Sequence, residues 1–228
     1  MKRDYTSIAT DKAIKTLDTL LNSAENNLIN EYRESMTELG SLLAESILYK
    51  IRQGEKSLVV ATAEDADFLQ KGVIDTLNSS GLETKMAIYW NNHYQSSSKI
   101  SVAPIVHKFI ENDFECASNL IIVKSIISGS CVVRTNIIET IHEMKDLHNI
   151  FILAPVSYKD SEEKLRSEFP EDISNKFVFC SFAIDDERTQ DGTVIPGIGG
   201  QVYKLLGLDD QPVKTGYIPK ALDRFIKI

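Results

Sequence analysis

The stretch NLIIVKSIISGSCVVRTNIIETIHEMK (residues 119–145) shows two hydrophobic patterns in succession. Residues 119–127 form a short, nearly continuous apolar run rich in β-branched side chains, which is typical of a strand buried on both faces. From residue 132 the apolar residues recur at helical spacing. A strand that leads through a small polar turn, here SGS (128–130), into a helix is the unit from which parallel sheets are built.

The same alternation of patterns runs through most of the chain. Four more runs with the character of strands are SLVVATA (57–63), TKMAIYW (84–90), IFILAPV (150–156) and KFVFCSFAI (176–184). Helical spacing predicts helices over residues 10–22, 28–52, 64–79, 103–112, 132–145 and 160–169. Because strands alternate with helices, the sequence predicts an α/β fold with a mainly parallel sheet flanked by helices. Ligands of such sheets bind beyond the carboxyl ends of the strands.

Composition narrows the class of protein. The 228 residues, 43% of them hydrophobic, suffice for one sizeable α/β domain. No apolar run approaches the ~20 residues that span a bilayer, and the N-terminus lacks the apolar core of a signal peptide, which predicts a cytoplasmic protein without a membrane partner. The three cysteines are far apart and lack metal-ligand spacing, so neither a metal site nor a disulfide framework is expected. A net charge of −8, without a cluster of Lys and Arg among aromatic residues, argues against an extended nucleic-acid surface.

A dense pattern of glycine and proline marks the segment AIDDERTQDGTVIPGIGGQVYKLLG (183–207). It resembles the C-terminal substrate-binding segment of uracil phosphoribosyltransferases, in which Ala-Ile-Asp-Glu precedes a Pro-Gly turn and further glycines. The matching residues are Ala183, Ile184, Asp185, Gly192, Pro196, Gly197, Gly199, Leu205 and Gly207. The physical logic of such a turn is a rigid backbone whose N–H and C=O groups read the edge of a planar base.

The resemblance extends from about residue 28 to residue 207. YRESMTELGSLLAE (32–45) resembles the family's N-terminal helix, and FILAPVSYKDSEEKLRSEFP (151–170) resembles its Val-Ala-Ala-Pro-Glu-Gly segment. The resemblance implies a single domain with a type I phosphoribosyltransferase-like fold over residues 1–228. Its parts would be an N-terminal helical extension (1–27), a C-terminal hood segment that binds the base (176–210) and a tail (211–228).

The element that binds phosphoribosyl pyrophosphate in this family departs from the family pattern here. The family reads roughly Val-Val-Asp-Pro-Met-Leu-Ala-Thr-Gly-Gly-Ser, with the Asp on the ribose hydroxyls and the Thr-Gly-Gly turn around the 5′-phosphate. Lys124 stands at the acidic position, and its ammonium group offers donors but no acceptor to the ribose. Ser128, Gly129 and Ser130 stand at the turn. They still provide backbone donors before a helix, so both an anion site and a plain turn with a serine N-cap remain open.

Three further departures concern the same ligand. Glu64 and Asp65 follow the strand where the family has an Ile-Leu-Arg-Ala-Gly segment against pyrophosphate. Tyr89 is followed by Trp90 where the family's flexible loop begins Tyr-Arg-Asp, and Gly200 stands where an Asp reaches the ribose and the metal. Positioning and charge around pyrophosphate carry most of the rate in such reactions. The sequence therefore predicts that phosphoribosyl transfer is lost, and it assigns no catalytic residue, resident metal or cofactor.

The favoured hypothesis is a ligand-sensing or partner-binding protein on the uracil phosphoribosyltransferase fold. A small base or nucleotide is its expected ligand, contacted by Lys124, Ser128, Gly129, Ser130, Asp185, Ile195, Pro196, Gly197 and Gly199. One alternative is a divergent but active phosphoribosyltransferase that forms a nucleoside monophosphate, with Mg²⁺ at a site lined by Asp185, Ser128 and Ser130. Another is a structural subunit of a multi-component assembly, in which side chains such as Trp90 and Lys124 fill the old site.

The resemblance also implies a homodimer, because the family pairs through its body and its substrate-side arm. Tyr89 and Trp90, on the strand that enters the arm, are the predicted aromatic anchors. The apolar residues of the tail predict that it docks onto the body or onto a partner; they are Ile218, Leu222, Phe225 and Ile226.

Overall fold

The computed structural model describes residues 2–95, 101–189 and 192–226. Residues 190–191 of the predicted hood and 227–228 of the predicted tail lie outside the described residues. The strands in chain order are β1 (Arg3–Tyr5), β2 (Lys56–Thr62), β3 (Glu83–Asn91), β4 (Tyr94–Gln95), β5 (Ser101–Val102), β6 (Ile105–Ile110), β7 (Asn119–Val123), β8 (Ile126–Ile127), β9 (Asn149–Leu153), β10 (Val156–Tyr158), β11 (Phe177–Cys180), β12 (Ala183–Asp185), β13 (Glu187–Arg188) and β14 (Val194–Ile195). The α-helices are α1 (Asp11–Glu25), α2 (Ile29–Glu45), α3 (Lys71–Ser79), α4 (Cys131–Ile141), α5 (Ser161–Ser167), α6 (Glu171–Ser174), α7 (Val202–Leu205) and α8 (Pro212–Thr215).

The main sheet has six strands in the order β11-β9-β7-β2-β3-β6. Neighbouring strands are parallel except at the edge, where β6 runs antiparallel to β3. Alternate side chains of a strand point to opposite faces. Val59 and Ala61 accordingly join the core that contains α1, α2 and α3, whereas Leu58 and Val60 join the core that contains α4 and α5. The predicted α/β fold with a mainly parallel sheet is confirmed.

Three of the predicted strands are each broken by two residues at the carboxyl end of the main sheet. β7, β9 and β11 end there and resume as β8, β10 and β12, which form a second sheet in the order β1-β12-β10-β8. β1 pairs antiparallel with β12 and so ties the N-terminus to this sheet. The break after β7 falls at Lys124 and Ser125, so these side chains are held at the junction of the two sheets.

One predicted helix is wrong. Residues 103–112 contain the antiparallel edge strand β6, in which His107 pairs with Trp90 and Phe109 with Ile88. The apolar residues of this segment fit helical spacing and strand alternation about equally well over so short a length. Pairing with the exposed edge of β3 decides between the two conformations, since tertiary contacts override local preference.

The C-terminal tail docks onto the body. Trp90 Nε1 donates to the carbonyl of Tyr217 at 2.8 Å, and the side chain of Leu222 is buried. The carboxylate of Asp67 accepts the backbone N–H groups of Lys220 and Ala221 at 3.0 and 2.8 Å. The predicted docking of the tail is confirmed, but of the four apolar residues on which it rested only Leu222 is buried, whereas Ile218, Phe225 and Ile226 are exposed. Within the described ranges, none of the helices combines the length and apolar character that a membrane span requires.

Candidate ligand-binding cleft

A cleft of about 450 Å³ lies at the carboxyl ends of β2, β3 and β7. The chain leaves β2 through α3 toward β3 and leaves β7 through α4 toward β9, so the connections diverge between β2 and β7. Such a switch point leaves a crevice beyond the strand ends. Thr62, Glu64 and Lys124 line the cleft from this side, and parts of the hood, including Arg188 and Val194, line it from the other.

The floor of the cleft carries a buried ion-pair cluster. Lys124 Nζ lies 2.6 Å from Asp65 Oδ2 and 3.1 Å from Glu64 Oε1. Asp65 Oδ2 also accepts the Thr62 hydroxyl at 3.0 Å and the Ser125 N–H at 3.2 Å. Only 12% of the Lys124 side chain and 1% of the Asp65 side chain are exposed. Although Lys124 lies 60 and 59 positions from Glu64 and Asp65, the three side chains form one unit in which a single ammonium group lies against two carboxylates.

The charge of Lys124 is fixed by this environment. Burial alone lowers the pKa of the Lys124 ammonium, but the charges of Asp65 and Glu64 outweigh burial and raise it above its ordinary value of 10.5. Lys124 is therefore a cation throughout the physiological pH range. Its ammonium group is engaged by the two neighbouring carboxylates, so little of its charge is available to a ligand.

The turn before α4 forms another part of the cleft wall. Ser130 occupies the N-cap position, but its side chain makes no capping hydrogen bond. Its hydroxyl instead donates to Glu168 Oε1 at 2.8 Å. The first N–H groups of α4 thus keep the partial positive charge of a helix N-terminus without a serine cap. The serine N-cap of the plain-turn interpretation is therefore not formed, and the anion site stays a prediction.

A cation adjoins the same turn. Arg188 Nη1 donates to the carbonyl of Ser128 at 3.1 Å, and its guanidinium lies 4.5 Å from the centre of the Tyr158 ring. Lys164 also lines the cleft. The wall near α4 thus carries Arg188 and Lys164 together with the Glu168 carboxylate at Ser130, whereas the floor near Glu64 is acidic.

Asp185 has a structural role in the hood. Its carboxylate is fully buried and accepts Arg3 Nε at 2.8 Å and Arg3 Nη2 at 2.7 Å. Gly197 N–H donates to the same carboxylate at 2.8 Å, and Arg3 Nη2 donates to the Gly197 carbonyl at 2.6 Å. Asp185 thus fastens the N-terminal strand to the glycine-rich turn.

Several backbone groups of the glycine-rich turn already form hydrogen bonds within the protein. The Tyr32 hydroxyl donates to the carbonyl of Ile198 at 3.0 Å, and Gly199 N–H donates to Pro196 O at 3.1 Å. The Ile195–Pro196 bond is cis. A Cβ on Gly199 would lie 2.4 Å from Ala24 Cβ of α1. Close packing on α1 therefore accounts for this glycine without reference to a ligand.

The structure brings together part of the predicted site. Lys124, Ser128, Gly129 and Ser130 line the cleft. The remaining predicted contacts belong to the adjoining turn and are not part of this lining: Asp185, Ile195, Pro196, Gly197 and Gly199. The Mg²⁺ site proposed for an active enzyme is not assembled, since Asp185 is held by Arg3 and not grouped with the two serines.

Sequence reasoning missed several lining residues. They are Asn91, Lys164, Arg188, Gln201, Tyr203 and Gln211. Asn91 directly follows the predicted strand 84–90, so its position at a carboxyl end was an available signal. Tyr203 and Gln211 come from short C-terminal helices or the loop beside them, for which no spacing signal existed. Burial, with a smaller effect of the Glu64 charge, raises the pKa of Tyr203.

The two aromatic residues predicted to anchor a dimer are internal, so that prediction is wrong. Tyr89 is fully buried, and its hydroxyl lies 2.8 Å from Thr140 Oγ1. Burial raises the pKa of Tyr89 to about 12. Trp90 is buried under the tail and does not line the cleft. The aromatic rings fill the core and leave the cleft open.

Within the part of the chain that the structure describes, no group of three or more His, Cys, Asp or Glu residues is arranged to hold a metal ion. Comparison with known proteins finds no matching family model and no matching curated protein.

Solved structures do match the chain. The AQ2163 protein of Aquifex aeolicus is 13% identical, with a TM-score of 0.63 over 86% of this chain and 94% of that chain. An adenine phosphoribosyltransferase from Leishmania donovani is 12% identical, with a TM-score of 0.46 over 72% of this chain and 71% of that chain. A hypoxanthine-guanine phosphoribosyltransferase from L. donovani is 8% identical, with a TM-score of 0.45 over 66% and 77%. The first match shows a shared fold, and at these identities none of the three shows an activity.

Proposed function

We propose that this protein is a phosphoribosyltransferase-like binding protein, which takes a small phosphorylated ligand in its cleft and does not transfer a phosphoribosyl group. The observation that carries the proposal is the buried cluster of Lys124, Glu64 and Asp65 at the strand ends. The sequence resemblance over residues 28–207 supports the phosphoribosyltransferase-like class, and the cluster is the reason why we propose that transfer is lost.

The cluster is unsuited to phosphoribosyl pyrophosphate on two counts. The ribose hydroxyls would meet an ammonium group already engaged by two carboxylates, and they would find no free acceptor on Lys124. The pyrophosphate would approach Glu64 and Asp65, and like charges repel strongly in a site of low dielectric constant. Transfer chemistry depends on stabilising that leaving group, so the arrangement removes its main source of rate.

The wall near α4 supports binding of a single phosphate. Its helix N-terminus, with Arg188 and Lys164 nearby, suits one anionic group. We assign the phosphate of a nucleoside monophosphate to the turn at Ser128, Gly129 and Ser130. A pyrimidine base is the finer assignment and rests on the resemblance of residues 183–207. Its contacts would come from cleft-lining neighbours of the turn, such as Val194 and Gly200.

The protein is also predicted to form a homodimer and to bind a further protein partner. Because Tyr89 and Trp90 are buried within the subunit, other residues would form the interface. Ligand sensing would then consist of a change in partner binding when the cleft is occupied.

Two measurements test the proposal. With uracil and Mg²⁺ we expect no release of pyrophosphate from phosphoribosyl pyrophosphate, and by calorimetry we expect saturable binding of uridine monophosphate. Turnover would overturn the loss of transfer. If no base or nucleotide binds saturably at millimolar concentration, the cleft is not a nucleotide site, and a partner-binding role alone remains.

A pair of variants at Gly129 locates the phosphate. A Cβ at Gly129 meets nothing within 4 Å, so a side chain can be added there without a clash. Gly129→Glu places a carboxylate at the turn and should abolish binding of uridine monophosphate. Gly129→Gln is the matched control of similar size, and it should weaken binding much less because it adds no charge. Equal loss in both variants would contradict a phosphate at this turn.

A further inference from the structure

A second cavity, of about 460 Å³, lies at the opposite end of the main sheet from the cleft. The residues that line it lie at, or just before, the amino-terminal ends of β2, β9 and β11. Lys50, Arg52 and Glu55 precede β2, His148 precedes β9, and Lys176 precedes β11. No part of this lining is shared with the cleft.

The acidic residue of this cavity is already satisfied by the protein. Glu55 Oε2 accepts the Asn119 amide at 2.9 Å and the Arg52 N–H at 3.3 Å. Glu55 Oε1 lies 2.9 Å from His148 Nδ1. The amide of Asn119, more than the other partners, lowers the pKa of Glu55, so its carboxylate is ionised at neutral pH and held in place. Glu55 therefore braces one wall and is not a partner for the nearby lysines.

The cations of the cavity lack such partners. Within the described residues, none of the three cations Lys50, Arg52 and Lys176 forms an ion pair with a carboxylate. The Lys50 ammonium lies 4.8 Å from the centre of the Tyr49 ring, and the Lys176 ammonium donates to the carbonyl of Leu147. The lining holds three cations and one engaged carboxylate, and the exposed carboxylate of Asp146 lies 3.3 Å from His148 Nε2, so the site is locally positive in a chain whose net charge is −8.

We propose that this cavity, which we call the basal cavity, binds a small molecule that carries phosphate groups. An arginine fork matches two phosphate oxygens, and lysines supply further charge around them. The volume falls in the range of small-molecule sites, which is roughly 300 to 1,000 Å³. The cations surround a concavity and do not form a stripe along the surface, so a small ligand fits better than a nucleic-acid backbone.

The test uses pyrophosphate as the probe, with inorganic phosphate as the weaker comparison. In calorimetry we expect the double variant Lys50→Glu/Arg52→Glu to bind pyrophosphate at least about tenfold more weakly than wild type, because it replaces two charge-assisted contacts with repulsion. Both side chains are exposed, so the fold should survive, and circular dichroism checks this. The matched control is Lys15→Glu/Lys159→Glu, which makes the same change of charge at exposed positions elsewhere.

Two further readouts separate the basal cavity from the cleft. The Gly129→Glu variant should keep pyrophosphate binding, since it alters only the cleft. The ring signals of His148, identified with a His148→Gln variant, should shift in NMR spectra as pyrophosphate is added. Equal weakening in the control, loss of binding in Gly129→Glu, unmoved His148 signals or no saturable binding to wild type would each overturn the proposal.

Discussion

Lys124 holds a positive charge between two carboxylates in a place where little solvent reaches. Such an arrangement adds little net stability over an apolar core of similar shape, because all of the charges have lost their hydration. Removing one member of the cluster is destabilising, because it leaves a buried charge without a partner. Glu64 and Asp65 would both remain, with 8% and 1% of their side chains exposed.

We expect Lys124→Met to lower the free energy of unfolding by ~3 kcal/mol, as is common when a buried ion pair loses one partner. Urea denaturation at neutral pH measures the change. Because the pKa of Lys124 is raised in the folded protein, its contribution is fully present below its ordinary value of 10.5 and is lost only as the pH rises through the still higher folded value. The difference between variant and wild type should therefore stay constant around neutral pH.

A triple variant separates charge from packing. Lys124→Met combined with Glu64→Gln and Asp65→Asn removes all of the charges and should recover most of the lost stability. Lys15→Met, at an exposed position on α1, is the control for the lysine-to-methionine change and should be close to neutral. A triple variant no more stable than Lys124→Met would show that the ammonium contributes through something other than charge balance.

At the level of single residues, the sequence identified the members of the cluster but not their pairing. Glu64 and Asp65 stand out because they follow the predicted strand 57–63, and Lys124 stands out because it interrupts the apolar run 119–127; at these places the family that the sequence resembles has other kinds of residue. Their contact depends on β2 and β7 being neighbours, and that is a property of strand order. Asp185 shows the same limit, since its partner Arg3 is 182 positions away and no local pattern connects them.

At the level of elements, α2 and α3 approach each other backbone to backbone. A Cβ on Gly72 would lie 2.0 Å from the carbonyl oxygen of Thr37, and one on Gly40 would lie 2.1 Å from that of Leu69. Neither distance is tolerated by a real side chain, so even a methyl group would force the helices apart. The two glycines therefore fix the spacing of the layer that covers β2 and β3.

We expect Gly72→Ala to lower the free energy of unfolding by ~2 kcal/mol. Overpacking at a backbone contact costs up to ~3 kcal/mol, and the better helix propensity of alanine returns about 1 kcal/mol. Thermal and urea denaturation measure the effect. Gly129→Ala is the control, because a Cβ there has no neighbour within 4 Å, and it should change stability little. A Gly72→Ala protein as stable as wild type would mean that α2 and α3 separate at no cost.

The prediction of elements succeeded where burial imposes a pattern. Buried strands such as β2 and β7 read as continuous apolar runs, and the amphipathic helices show their spacing plainly. The breaks between β7 and β8 and between β9 and β10 were missed because both halves of each strand are apolar, although the polar pair Lys124-Ser125 and Pro155 stand at these breaks. β6 was mistaken for a helix because an edge strand lacks the two-sided burial that makes its neighbours recognisable.

At the level of the whole molecule, the tail closes over both the main sheet and the cleft. The side-chain amide of Gln211, which lines the cleft, forms two 3.0 Å hydrogen bonds with the backbone of His93. Farther along, the carboxylate of Asp67 accepts hydrogen bonds from the Tyr217 hydroxyl and from the backbone of Lys220 and Ala221. One carboxylate thus holds the last turn of the tail against the body.

We expect Asp67→Ala to release this part of the tail and to lower the free energy of unfolding by ~2 kcal/mol, because hydrogen bonds to a charged group are worth more than neutral ones. Trp90, the single tryptophan, reports the release, since its indole N–H donates to the carbonyl of Tyr217 beneath the tail. Its fluorescence should shift to the red, and trypsin should cut faster at Lys220.

Asp75→Ala is the matched control: Asp75 is an exposed aspartate on α3 whose carboxylate pairs with Lys71, and its loss should leave Trp90 emission unchanged. Unchanged emission and unchanged cleavage in Asp67→Ala would mean that Leu222 and its apolar neighbours hold the tail without the carboxylate.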